Sequence, residues 1–264
     1  MESGLQTVPL SHIVNRLRAA EVVMEPYPHY YIENLFPDSY YQALLQHLPE
    51  SNLYQNLYDV TTLKLDHFRH RDQRDLNEGW TSGLSDEPKK FWDAFDAWFL
   101  GAEFAQSVLD SFAEPLRERF GDKTSWPAVS VESQLIRHRA GYFLGPHSDL
   151  HTKIVVLLLY LAPDESALRL GTSLYRPKDK NFSCPNSTHY PFEDFIRVKT
   201  VPYKPNSMLG FMRSDTSFHG VEPLSEEDVT TSGRDLIQYV IYDKEARERQ
   251  LHERRLATAQ EVTR

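Results

Sequence analysis

After Trp126-Pro127 the chain breaks into short apolar or alternating runs parted by Pro, Gly, Asn and Asp, and this stretch constrains the fold most. Val129 to His138 alternates, Lys153 to Ala162 is apolar, and Leu168 to Arg176 alternates again. Phe195 to Pro202, Ser207 to Arg213 and Asp235 to Tyr242 follow. Successive side chains of a strand point to opposite faces, so such alternation buries one face and leaves the other free. Strands this short, with turn residues at this spacing, predict a sandwich or jelly roll. The longest apolar run, Ile154 to Ala162, has nine residues. That length suits a buried strand and falls short of a membrane span.

The first half reads differently. Pro26 to Phe36 is rich in aromatic and β-branched residues and predicts an early strand. Pro37-Asp-Ser then opens a helix with Tyr41, Leu44, Leu45 and Leu48 on one face, closed by Pro49. Residues 51 to 88 are polar, with a charge cluster from Lys64 to Asp75, and predict irregular structure in the role of a lid or entrance loop. From Glu87 to Phe120, apolar residues recur at helical spacing (Phe91, Phe95, Phe99, Phe104, Val108, Phe112 and Leu116), which predicts two helices broken near Gly101. The tail from Lys244 predicts an exposed helix, with Glu245 and Arg249 placed to pair across one turn. The expected class is mainly β with flanking helices (α+β), organised as one domain over 1–264. Residues 1–128 would form the leading strand and buttressing helices, 129–244 the β core and 245–264 the terminal helix.

A net charge of −9 argues against nucleic acid or an anionic membrane as the main partner, although a local basic patch is compatible with it. The single cysteine, Cys184, rules out an intrachain disulfide and fits a reducing cytoplasm. Met1 to Ala20 lacks the continuous apolar core of a signal peptide.

Within the β-rich region, Gly145-Pro-His-Ser-Asp-Leu150 supplies His147-x-Asp149, and Ser217-Phe-His-Gly220 supplies His219. On a strand, His147 and Asp149 would share a face with Ser148 opposite. Two imidazoles and one carboxylate on one face of a metal leave other coordination positions open, the arrangement of non-haem Fe(II) oxygenases. His-x-Asp alone is common, and surface histidines beside a solvated aspartate are the blander account. Among the competitors, His151 would join His147 only on a helix, which Gly145-Pro146 before and the β-rich run after disfavour. His67 and His70 lie in the charged segment, where solvation is the simpler account; His138 is either a satisfied core residue or a pocket residue. Arg234, just before the strand Asp235–Tyr242, offers a guanidinium suited to a carboxylate.

With these residues in view, the chain resembles the Fe(II)/2-oxoglutarate-dependent oxygenases, and most closely their prolyl 4-hydroxylase-like branch. The similarity covers roughly Val129 to Lys244, and more weakly Tyr27 to Pro49. It is carried by Gln134-Leu-Ile-Arg-His-Arg-Ala-Gly-Tyr-Phe-Leu-Gly-Pro-His-Ser-Asp149 and by Pro205-Asn-Ser-Met-Leu-Gly-Phe211 followed by Ser217-Phe-His-Gly-Val221. The resemblance implies a double-stranded β-helix (jelly-roll, cupin-like) core, with His147, Asp149 and His219 as iron ligands. It implies Arg234 as partner of the distal 2-oxoglutarate carboxylate, where that branch often has lysine. His138 falls where the family often has a tyrosine near 2-oxoglutarate. Related halogenases have a small residue in place of the carboxylate ligand, so Asp149 implies hydroxylation.

The expected cofactors are Fe(II), 2-oxoglutarate and O2, with ascorbate as a candidate reductant. Arg139, Tyr142 and Arg213 are candidates for gripping a polar substrate, as is the turn segment Thr172 to Lys178. The expected substrate is a free amino acid or small polar metabolite. Modification of a protein or peptide side chain is the enzymatic alternative, and a non-catalytic jelly-roll metal- or ligand-binding protein the other. The expected assembly is a monomer or homodimer.

Overall fold

The computed structural model describes residues 10–62, 64–185, 189–229 and 233–262, with side chains described as far as residue 256. Residues 1–9 of the segment read for a signal peptide therefore lie outside the described residues. No described helix is long and apolar enough to cross a membrane.

The first half contains α1 (Leu10–Arg18), β1 (His29–Glu33), α2 (Asp38–Gln46), β2 (Gln55–Asn56), α3 (Leu57–Val60) and β3 (Arg71–Asp75). Three helices follow, α4 (Asp86–Phe99), α5 (Ala102–Ser111) and α6 (Ala113–Phe120). The second half is β4 (Val129–His138), β5 (Leu144–His147), β6 (Lys153–Tyr160), β7 (Thr172–Pro177) and β8 (Phe195–Val201). It ends with β9 (Ser207–Met212), β10 (His219–Val221), β11 (Arg234–Asp243) and the helix α7 (Lys244–Val262). In α7, Glu245 and Arg249 pair at 3.8 Å.

Two antiparallel sheets result. The large one has the order β1-β9-β6-β11-β4-β3-β2 and the small one β5-β10-β7-β8. From β4 to β11 the chain passes between them, with β4, β6, β9 and β11 in the large sheet and β5, β7, β8 and β10 in the small one. This eight-strand interleaving is the jelly-roll core.

The apolar run of β6 serves two cores at once. Val155, Leu157 and Leu159 join the cluster under the helices, with Phe91, Phe95, Phe99, Phe104 and Val108 of α4 and α5. Val156, Leu158 and Tyr160 point between the sheets, toward Leu174, Val201 and Val221 of the small sheet or its margins. A strand covered on both faces has no polar side to show, which explains the missing alternation. Buried Asn206, in the left-handed conformation at φ 53°, ties the early segment to β9. Its Oδ1 accepts from the Phe36 amide and its Nδ2 donates to the Phe36 carbonyl, both at 2.8 Å.

Four expectations need correction. The early strand is shorter than Pro26–Phe36, covering His29–Glu33. The helical region holds three helices rather than two, with a second break at Phe112. Pro115 has no N–H to offer the Ser111 carbonyl, so the helix cannot run on through that turn. The stretch 168–176 starts as a 3-10 turn, Leu168–Leu170, and becomes strand only at Thr172.

The fourth concerns 51–88. This segment contains a strand, β3, paired to β4 along its whole length, with Arg71 opposite His138 and Asp75 opposite Gln134. Its sequence, Arg-Asp-Gln-Arg-Asp, has no apolar alternation because β3 extends the sheet through backbone bonds beyond the covered core. Charged side chains are characteristic of such near-edge strands, where they discourage further pairing.

Candidate metal centre and its pocket

His147 is the last residue of β5 and His219 the first of β10, and the two are Cα partners in the β5–β10 pair. Their ring centroids lie 4.3 Å apart. Gly220 permits this close strand approach, since a Cβ there would lie 2.5 Å from the Leu144 carbonyl oxygen. Asp149 follows two residues after β5 has ended, so it is held by a loop rather than by strand alternation as expected. Ser148 does point away, its hydroxyl donating to the Cys184 carbonyl at 2.5 Å.

Each imidazole is oriented by its own backbone. His147 Nδ1 is 3.1 Å from the Gly145 carbonyl oxygen and His219 Nδ1 is 3.0 Å from that of Ser217. A carbonyl only accepts, so each Nδ1 carries the proton and each Nε2 keeps a free lone pair. Asp149 Oδ1 accepts from Lys153 Nζ at 2.6 Å, while Oδ2 is buried with no hydrogen-bond partner, 3.6 Å from His219 Nε2. One ligand atom from each of the three residues lies within 4.8 Å of the others, and all three residues are buried.

The charge states suit a cation. Burial, then the neighbouring His219, holds His147 well below the usual imidazole range. His219 is likewise lowered by burial, against the opposing pull of Asp149, so their contact is not an ion pair at neutral pH. Burial alone would raise Asp149, but the Lys153 ammonium, joined by the two histidines at the low pH where they are protonated, outweighs it and holds the carboxyl below its ordinary value. Two neutral nitrogens, one ionised carboxylate and an orphaned inward-facing oxygen fit a divalent metal of the Fe(II) type.

The centre opens into a cavity of about 220 Å³ that also receives His138, Tyr142, Thr172, His189 and Arg234. Arg234 is 1% exposed, yet among the described residues no carboxylate pairs with it. Its guanidinium donates instead to the Leu170 carbonyl, to Thr172 Oγ1 at 3.1 Å and to His138 Nδ1 at 2.9 Å. Because arginine can only donate, His138 Nδ1 accepts and the ring proton belongs on Nε2. That Nε2 is buried without a partner, and so is the hydroxyl of Tyr142, whose ring stacks on His138 at 3.8 Å. Burial, then Arg234, keeps His138 neutral by pushing it well below its usual value. A cation and two unpartnered donors in one cavity call for an anionic oxygen ligand, because leaving them bare costs their full desolvation.

The other expected contacts are placed elsewhere. Arg139 is half exposed outside the cavity, paired with Asp72 at 3.1 Å and donating to the Arg69 carbonyl at 2.8 Å. Arg213 braces the metal loop from behind, donating to the carbonyls of Asp149 at 2.9 Å and Pro185 at 2.8 Å and pairing with Asp215 at 2.7 Å. Of the segment 172–178, Thr172 alone lines the cavity. His151 is exposed in a turn. His67 is not a solvated surface residue: its ring lies 4.3 Å from Phe143 and 6.1 Å from His189. His70 packs against Gly141, whose absent Cβ would meet the ring at 2.8 Å.

Sequence reasoning missed Lys153, His189 and Arg71, all of which line the cavity. Lys153, four residues after Asp149 and at the start of β6, carried a usable signal, whereas His189 and Arg71 reach the cavity only through long-range packing.

No family model matches the chain, and no curated protein matches it. Among solved structures the chain is similar to a prolyl-4-hydroxylase from Pseudomonas putida, at 13% identity and a TM-score of 0.45, covering 88% of this chain and 97% of that one. It is similar to an oxidoreductase of the 2OG-Fe(II) oxygenase family from Burkholderia pseudomallei, at 12% identity and a TM-score of 0.45, covering 89% and 90%. HygX from Streptomyces hygroscopicus, solved with nickel and 2-oxoglutarate bound, gives 13% identity and a TM-score of 0.41 over 81% and 82%.

Proposed function

We propose that this chain is an Fe(II)- and 2-oxoglutarate-dependent dioxygenase that hydroxylates a C–H bond of a small polar metabolite or free amino acid. One observation carries the reading: the buried cluster of His147, Asp149 and His219 shares its cavity with Arg234, a buried guanidinium that no described carboxylate neutralises. Iron bound at the cluster would supply the redox chemistry that couples decarboxylation of 2-oxoglutarate to substrate oxidation, one oxygen atom of O2 entering succinate and the other the substrate.

The chain's own part is positional. His147 and His219 present Nε2 through their backbone-held Nδ1 protons, and Asp149 presents Oδ2 because Lys153 occupies Oδ1. Arg234 takes the distal carboxylate of the co-substrate, with the Nε2 proton of His138 and the Tyr142 hydroxyl as further donors. Leu158 and Leu236 supply apolar wall, which limits water and strengthens each of these electrostatic contacts. The retained carboxylate of Asp149 favours hydroxylation over halogenation.

A cavity of about 220 Å³ favours a small molecule over a folded protein segment. Succinate formation that depends on both iron and substrate separates an enzyme from a binding protein. The expected screen result is a metabolite product heavier by one oxygen atom; turnover of peptides alone would overturn the substrate choice. In His147→Ala and Asp149→Ala proteins, Fe(II) affinity should fall by on the order of 100-fold or more, beyond the loss usual for an outer-shell residue. Wild-type affinity in both variants would show the metal site to be wrong.

A further inference from the structure

Arg71 is a second cation of the cavity, after Arg234, with which no carboxylate among the described residues pairs. It begins β3 directly opposite His138, which on its other side is opposite Arg234, so the three residues form a row across β3, β4 and β11. Directly opposed residues share a face of the sheet, and all three line the same cavity. Arg71 Nε is buried without a hydrogen-bond partner, and NH2 reaches only Gln134 Oε1 at 3.4 Å. The acids nearest in sequence are engaged elsewhere: Asp72 pairs with Arg139, Asp75 accepts from Gln134 Nε2 at 2.6 Å, and Asp66 pairs with Arg69. Among the described residues no carboxylate pairs with Arg71.

Its position separates it from the co-substrate end. Arg71 and Arg234 stand two strands apart, roughly 10 Å at the usual strand spacing. The Arg71 guanidinium also leans along β4 to Gln134, which is opposite Gln238 of β11. That direction leads away from the row holding Arg234. Leu57 and Phe68 also line the cavity, so Arg71 belongs with them to the part of the wall that the segment 51–88 contributes.

Charge accounting points the same way. The cavity wall carries three permanent cations, Arg71, Lys153 and Arg234, against one carboxylate, Asp149. A divalent metal adds two positive charges and a dicarboxylate removes two, which leaves the pocket cationic inside a chain of net charge −9. An oxyanion on the second ligand would offset that surplus through charge-assisted, bidentate hydrogen bonds.

We propose that Arg71 holds a carboxylate or phosphate of the molecule to be oxidised, so that the substrate carries an oxyanion group. This rests on the oxygenase reading of the same site. The test uses the full chain loaded with Ni(II), with and without 2-oxoglutarate. The probes are free α-amino acids beside their carboxamides, and inorganic phosphate beside an equal ionic strength of chloride. Binding is read by calorimetry and thermal shift in wild type, Arg71→Gln, Arg71→Lys and Arg234→Gln.

In wild type, at least one carboxylate probe should bind tenfold tighter than its amide, or phosphate should bind where chloride does not. The first outcome marks a carboxylate substrate and the second a phosphorylated one. Arg71→Gln should lose that preference at least tenfold while its 2-oxoglutarate affinity stays within twofold, and Arg71→Lys should recover part of it. The proposal is overturned if no oxyanion preference exists in wild type or if Arg71→Gln keeps it. It is also overturned if Arg71→Gln weakens 2-oxoglutarate binding as far as Arg234→Gln does, which would assign Arg71 to the co-substrate. Failure of wild type to bind 2-oxoglutarate would count against the oxygenase reading alone, because the oxyanion preference is measured on Ni(II)-loaded protein as well.

Discussion

His147 and His219 face each other as Cα partners across β5 and β10, so backbone register alone sets the separation of two of the three metal-facing side chains. Their Nδ1 protons are held by the carbonyls two residues earlier, Gly145 within β5 and Ser217 just before β10. Perturbing the strand pair should therefore perturb metal binding.

Gly220→Ala tests that coupling without touching a ligand. Its Cβ would lie 2.5 Å from the Leu144 carbonyl oxygen and 3.3 Å from Gly145, forcing β10 away from β5. Overpacking of this kind costs about 1–3 kcal/mol. Thermal melts and Co(II) titrations should show a lower Tm together with weaker metal binding. A lowered Tm with unchanged metal affinity would mean that the strand register does not organise the centre.

Lys153→Met removes the ammonium that occupies Asp149 Oδ1 at 2.6 Å. Both the orientation of the carboxylate and its depressed pKa depend on that contact. Metal affinity at neutral pH should fall by about 10–100-fold, the range typical of residues that orient a ligand. Equal affinities in a metal titration would show that Lys153 is a bystander.

Arg234→Gln should weaken 2-oxoglutarate binding by about 1.5–3 kcal/mol, the usual worth of a hydrogen bond to a charged group. That is about 10–100-fold in Kd or KM. Arg234→Lys should fall between the two, since it keeps the charge and loses the planar fork. Metal affinity without co-substrate should barely change in either protein, and calorimetry with and without 2-oxoglutarate separates the two effects.

Asp96 gives a pH prediction away from the site. Burial pushes its carboxyl up to about 6, against the lowering effect of its hydrogen bond from Trp80 Nε1. Between the ordinary value of 3.8 and about 6, the folded chain keeps a proton that the unfolded chain has lost. Its contribution to stability therefore falls as pH rises through that window. Asp96→Asn removes the dependence, so the Tm of the variant minus that of wild type should increase from about pH 4 to about pH 7. A flat difference across that range would contradict the assignment.

Much of the fold was legible because local rules act over a few residues. The period-two runs after Pro127 became strands of two sheets, and the phenylalanines at helical spacing from 91 to 104 became the inner face of α4 and α5. The misreadings have equally local causes. Pro115 adds a helix break that apolar spacing does not reveal. The β3 segment is a strand without apolar alternation, because it is recruited by the backbone of β4 rather than by burial of its side chains.

For the site, the sequence by itself determined which residue types could meet: two histidines and an aspartate at strand-like spacing, and an arginine before the last strand. Only the tertiary structure decided which of the remaining polar residues share their cavity. Arg139 and Arg213 are consumed by Asp72 and Asp215, whereas Lys153 reaches Asp149, and Arg71 and Arg234 line the cavity with no acid partner among the described residues. A charge becomes available for binding only when the fold withholds its counterion. That depends on contacts between residues far apart in the chain, which no local pattern encodes.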